Sequence, residues 1–99
     1  MMFKNQRYLT RGIQEHISWE LQSFMWNMID EISIQKDYFQ VFKLSEKNID
    51  GQRYQYIRHF QEVPEYSKEI VFQSDNPVTC KIYVIDDGDH STILLAEEY

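Results

Sequence analysis

Ser18-Trp-Glu-Leu-Gln-Ser-Phe-Met-Trp-Asn-Met-Ile-Asp-Glu-Ile-Ser33 is the stretch that decides the fold. Its apolar residues Leu21, Phe24, Met25, Met28, Ile29 and Ile32 recur at i, i+3, i+4 and i+7. That period describes one buried stripe on a helix. Ser18 offers an N-cap hydroxyl, and Glu20 places an acid at the positive end of the helix dipole. The spacing predicts an amphipathic helix from Ser18 to about Ser33, and a single stripe needs one partner layer.

That layer reads as sheet. Asp37–Leu44 (DYFQVFKL) and Gln52–Glu62 (QRYQYIRHFQE) are rich in aromatic and β-branched residues. Asp50-Gly51 between them is a hairpin signal, because both central residues of a type I′ turn need positive φ. Ser45–Asn48 read as loop, which makes this hairpin long rather than minimal. Pro64 interrupts the ladder because it has no N–H to donate. Lys68–Gln73 is a shorter strand, ended by Asp75-Asn76-Pro77. Thr79–Ile85 and Ser91–Ala96 form the last pair around Asp86-Asp87-Gly88-Asp89, and Arg7–Leu9 fits a further short strand. The expected class is α+β: one amphipathic helix packed on an antiparallel meander sheet of four to six strands, in a single domain over residues 1–99.

Composition narrows the function. Ninety-nine residues suffice for one small core. Sixteen acids against ten Lys and Arg give a net charge of −6, which disfavours direct binding of nucleic acid or an anionic membrane. The acids are concentrated late: residues 62–99 carry nine of them against Lys68 and Lys81 alone. No apolar stretch approaches the roughly 20 residues of a membrane span. The lone Cys80 has no disulfide partner within the chain, so a reducing, cytoplasmic setting is expected.

Two segments stand out as candidate interaction sites. Trp19 and Trp26 are seven apart and share a helix side roughly 140° from the apolar stripe. Either the Phe3–Ile13 segment covers them, or they present an aromatic patch to a partner. Asp86, Asp87, Asp89 and His90 crowd one turn, which reads first as hairpin chemistry. A calcium loop would need a longer ligand register closed by a bidentate acid. No catalytic residue, cofactor or metal ligand is assigned. Cys80 lies in a strand pattern and has no local motif with His16, His59 or His90, and phosphate-cradling glycine loops are absent. On the second long strand, alternation puts Tyr54, Tyr56, Arg58 and Phe60 on one face and Arg53, Ile57 and His59 on the other. That split weakens a base-stacking reading, and pairing against Tyr38 and Phe42 would account for the tyrosines.

Four runs are distinctive as words. They are Tyr8-Leu-Thr-Arg-Gly-Ile-Gln-Glu, Glu20-Leu-Gln-Ser-Phe-Met-Trp, Gln61-Glu-Val-Pro-Glu-Tyr and the ending from Lys81 to Tyr99. Together they resemble the domain-of-unknown-function family 960, small proteins of Firmicutes, their phages and mobile elements. The chain departs from the family pattern at Ile17-Ser18, where that pattern has Ile-Pro. The resemblance implies a bacterial or phage cytoplasmic origin and brings no activity with it.

Three readings of function stand at this point. The first is a non-enzymatic protein-interaction module, binding a protein partner or itself through the tryptophans or the acidic turn. A phage-type nucleic-acid mimic that inhibits a host nucleic-acid-binding protein is the second. The third is a small metal-dependent enzyme at Asp86–His90.

Overall fold

The computed structural model describes residues 2–99. In chain order its elements are β1 (Gln6–Leu9), α1 (Arg11–His16), α2 (Trp19–Asp30), β2 (Phe39–Ile49), β3 (Gln52–Gln61), β4 (Tyr66–Gln73), β5 (Cys80–Asp86) and β6 (His90–Leu95). A single 3₁₀ turn at Ala96–Glu98 follows. The strands form one sheet in the order β1-β6-β5-β2-β3-β4.

The sheet corrects the meander expectation in two ways. β5 pairs with the free edge of β2, so only β2, β3 and β4 are a simple meander. β1 runs parallel to β6, which makes the sheet mixed. Nearly the whole chain separates β1 from β6, so no hairpin fixes its direction. The Asp50-Gly51 turn is also tighter than expected. Ile49 pairs with Gln52, and Asp50 and Gly51 take φ of 52° and 79°, leaving a two-residue turn. Ser45–Asn48 are strand rather than loop. Pairing of β2 with β5 stops at Leu44–Cys80, so the polar end of β2 projects past β5 and shows no buried alternation.

Ser18 caps α2 as expected, its Oγ accepting from the Leu21 N–H at 3.2 Å. The helix ends at Asp30 rather than near Ser33, and Ile32 is still buried just beyond it. The six-residue α1 was not expected. Thr10 caps it and Ile13 is its one buried residue, too little for a helical period to show. Both helices pack on one sheet face. Ile13, Met25, Met28 and Ile29 meet Phe42, Ile57, Ile82, Val84 and Ile93 there. Extents of 44 × 29 × 20 Å match one sheet and one helix layer. Among the described residues, no helix is long and apolar enough to cross a membrane.

Two carboxylates tie the ends of the chain to this frame. Asp86 accepts from the Phe3 N–H at 2.7 Å and from Asn5 Nδ2 at 3.0 Å. Glu98 accepts from Thr10 Oγ1 at 2.6 Å and from the Gly12 N–H at 3.0 Å. At the other end of the core, Gln40, His59 and Gln61 are buried polar side chains. Gln40 Nε2 donates to Gln61 Oε1 at 2.7 Å, and His59 Nε2 lies 2.6 Å from Gln40 Oε1. Phe42 stacks on His59 at 4.2 Å, on the covered face, so it does not pair with the β3 tyrosines.

Candidate functional site

Strand alternation sends the other half of each strand to the face that neither helix covers. Phe39, Val41, Lys43, Ser45 and Lys47 reach it from β2, and Tyr54, Tyr56, Arg58 and Phe60 from β3. β4 adds Glu69 and Val71, and β5 adds Lys81 and Tyr83. Tyr99 extends beside Tyr83 and Phe39, with ring centroids 5.5 and 5.6 Å away. This surface is aromatic. At its rim, Met2, Lys36, Tyr38, Phe39, Val41 and Val63 line a hollow of about 640 Å³.

The register places charge across this surface in an unusual way. Lys81 is opposite Lys43, Lys43 is opposite Arg58, and Arg58 is opposite Glu69. Three cations therefore stand side by side on β5, β2 and β3. Strands about 4.8 Å apart put the whole row within roughly 10 Å. Like charges directly opposed across a ladder destabilise it. Lys47 adds a fourth cation further along β2. Among the described residues, none of these four has a carboxylate within 4 Å, whereas Lys4, Arg7, Arg11, Arg53 and Lys68 each have one. Burial, then the Glu69 carboxylate beside it, raise the Tyr56 phenol above its ordinary pKa.

Aromatic rings support the row in place of counter-ions. Lys47 Nζ lies 4.4 Å from the centroid of Tyr56, and the Arg58 guanidinium carbon 4.9 Å from that of Phe60. Lys43 approaches Phe60 at 5.6 Å and Lys81 approaches Tyr83 at 5.5 Å. Each cation thus rests over a ring and holds its charge toward solvent. Reading β3 alone concealed this surface. Arg53 and His59 do turn to the other face, but Lys43, Lys47 and Lys81 come in from neighbouring strands. The available signal was the shared alternation of Lys43, Lys47 and Lys81 with Arg58, visible once the strand order is known.

The two tryptophans are separated. Trp26 is buried in the core cluster, with the Arg7 guanidinium 4.3 Å from its ring centroid. Trp19 is 73% exposed and borders a hollow of about 310 Å³ with Tyr8, Leu9 and Trp26. The segment before α1 covers one indole and leaves the other outside.

The acidic turn is also divided. Asp86 is buried, while Asp87 and Asp89 are exposed at the tip and His90 is half-buried. Burial pushes the Asp86 carboxyl up, but hydrogen bonds from the Phe3 and Gly88 N–H groups and from Asn5 outweigh it and leave its pKa lowered. Asp87 is lowered chiefly by the His90 N–H, which it accepts at 3.0 Å, and it also accepts from the Asp89 N–H at 3.1 Å. These carboxylates tie a hairpin and an N-terminus together.

Cys80 and His16 border a further hollow of about 620 Å³, with Ile17, Val78, Lys81 and Glu97. Burial, followed by the Glu97 charge, raises the Cys80 thiol, which disfavours the nucleophilic thiolate.

A model of the family described as staphylococcal protein of unknown function, DUF960, matches residues 6–98. The chain belongs to the DUF960 family. A crystal structure of a protein of unknown function from Enterococcus faecalis is similar to this DUF960 chain at 24% identity and a TM-score of 0.70. The likeness covers 96% of this chain and 91% of that one, and it concerns the fold. Among curated proteins, nothing matches.

Proposed function

We propose that this DUF960 protein is a non-enzymatic protein-interaction module whose contact surface is the uncovered sheet face. The observation that carries this reading is the Lys81–Lys43–Arg58 row: like charges in register, none with a carboxylate within 4 Å among the described residues, on a surface of aromatic rings. Such a row costs the isolated fold stability and gains from a complementary surface. Tyr, Phe and Arg are also residue types enriched at interfaces. An active site usually gathers convergent polar groups in a concave pocket, whereas the cations of this face are set side by side on three strands.

The test compares capture from bacterial lysate by three baits: the unaltered chain, a Phe60→Ser/Tyr83→Ser variant and a Trp19→Ala variant. Thermal melts confirm that each bait is folded. The expected result is a protein retained by the unaltered and Trp19→Ala baits and lost from the sheet-face variant. Loss with Trp19→Ala alone would move the contact to the β1–α2 hollow. Equal retention by all three would contradict the reading.

A further inference from the structure

We infer that the partner docks through a short acidic segment whose carboxylates pair with Lys81, Lys43 and Arg58. This inference rests on the sheet face being the contact surface, and it adds the chemistry of the partner. Three observations select a short run of carboxylates over a continuous polyanion.

The first is the length of the row. Cations occupy three adjacent strands, and then the register reaches Glu69 on β4. The complementary pattern is a few negative charges followed by a neutral or positive group. A phosphate chain carries a charge at every nucleotide and would run against Glu69. The second is the state of the rings. Lys47, Arg58, Lys43 and Lys81 already lie over Tyr56, Phe60 and Tyr83 at 4.4 to 5.6 Å. Stacked bases would have to displace those cations, whereas carboxylates meet them from the solvent side without rearrangement. The third is the field of the whole molecule. The chain carries a net charge of −6, so a long polyanion is repelled by the molecule as a whole, while a segment bearing two or three acids feels mainly the row.

Alternate residues of an extended segment project to the same side at about 6.8 Å spacing, two residues at about 3.4 Å each. A Glu-X-Glu-X-Glu pattern therefore spans about 14 Å against roughly 10 Å for the row, a difference that flexible Lys and Arg side chains can bridge. Each ion pair forms at an exposed surface, so the docking is of modest affinity and depends on salt.

The experiment follows fluorescence anisotropy of a short labelled peptide of alternating Glu and Ala as the full-length chain is added. Its Gln-for-Glu counterpart and a labelled oligothymidylate of matched length serve as the other probes. We expect saturable binding of the Glu peptide at low salt, weakened by added salt, with no binding of the Gln peptide. A Lys43→Gln/Lys81→Gln variant, its fold checked by melting, should bind the Glu peptide about tenfold more weakly, as two lost exposed ion pairs imply. Equal binding by the variant would overturn the assignment to the row. Tighter binding of oligothymidylate through the same residues would overturn the choice of partner in favour of nucleic acid. Concentration-dependent dimerisation abolished by the double variant would instead make a second copy the occupant. If the Glu peptide fails while a protein is still captured through Phe60 and Tyr83, the acidic-segment inference falls and the interaction-module reading survives. If that capture fails as well, both fall.

Discussion

The two faces of the sheet are made of the same strands and are held to opposite standards. On the covered face, Phe42, Ile57, Ile82 and Ile93 pack against two helices, and Lys68, at its edge, lies near a carboxylate of Glu31. On the uncovered face, four cations lie over aromatic rings with no carboxylate within 4 Å among the described residues. Among the described residues, the covered face satisfies its buried side-chain groups internally except at His59 Nδ1, which has no hydrogen-bond partner. The other carries its charge over rings, and in the proposed reading that charge is met by a partner on a stable scaffold.

The sharpest way to break this division is to put charge on the covered face. Met28 is 3% exposed at the centre of the α2 stripe. Met28→Asp places a carboxylate there without a partner and should cost more than about 4 kcal/mol, enough to abolish a cooperative melting transition. An unchanged thermal midpoint would show that the helix does not form the core.

Acid provides the next largest effect. Burial, then the Lys68 charge, lower the His59 pKa from 6.5 to about 4. The folded state thus binds this proton more weakly than the unfolded chain does. Stability contributed by neutral His59 is complete above pH 6.5 and drains away as pH falls toward 4. The loss is about 3 kcal/mol at 1.36 kcal/mol per pKa unit. Urea melts across that window should show it, and a folded His59→Gln variant should show a shallower acid limb. An acid limb of equal depth in the variant would assign the loss to other groups.

Arg7 tests how the boundary between buried and exposed tryptophan is maintained. Its guanidinium covers Trp26 and reaches Asp30 at 2.8 Å. Arg7→Ala should cost about 1 kcal/mol and shift the Trp26 emission to longer wavelength. Measuring this in a Trp19→Phe background isolates the buried indole, and an unshifted spectrum would show that Arg7 is not its cover.

How much of this was legible in the sequence follows from where the physics is local. The α2 stripe and its Ser18 cap depend on spacing within one segment, and both could be read directly. The Asp50-Gly51 turn was equally visible, but its length was not. Ser45–Asn48 belong to the overhang of β2 beyond β5, where solvent on both faces removes the alternation. Trp26 was placed outside the stripe because a helical wheel cannot see β1 arriving at its flank. The cation row was hidden for the same reason. Lys43, Arg58 and Lys81 are distant in sequence and become neighbours only through the β5-β2-β3 order.

The smallest predicted effect on stability belongs to the uncovered face, and its sign is informative. Lys43 stands between Lys81 and Arg58, so Lys43→Gln relieves two like-charge pairs. Stability should rise by a few tenths of a kcal/mol, up to about 1 kcal/mol. A clear loss on thermal melting would mean that the row helps hold the fold together.

The division of labour between the faces is tested most directly by mapping amide chemical shifts of the isotope-labelled chain as the Glu-Ala peptide is added. The account predicts saturable shifts centred on Lys43, Arg58 and Lys81 and on the flanking Phe60 and Tyr83, with the α2 amides unmoved. Shifts centred on Trp19 and α2, or spread evenly over the surface, would contradict it.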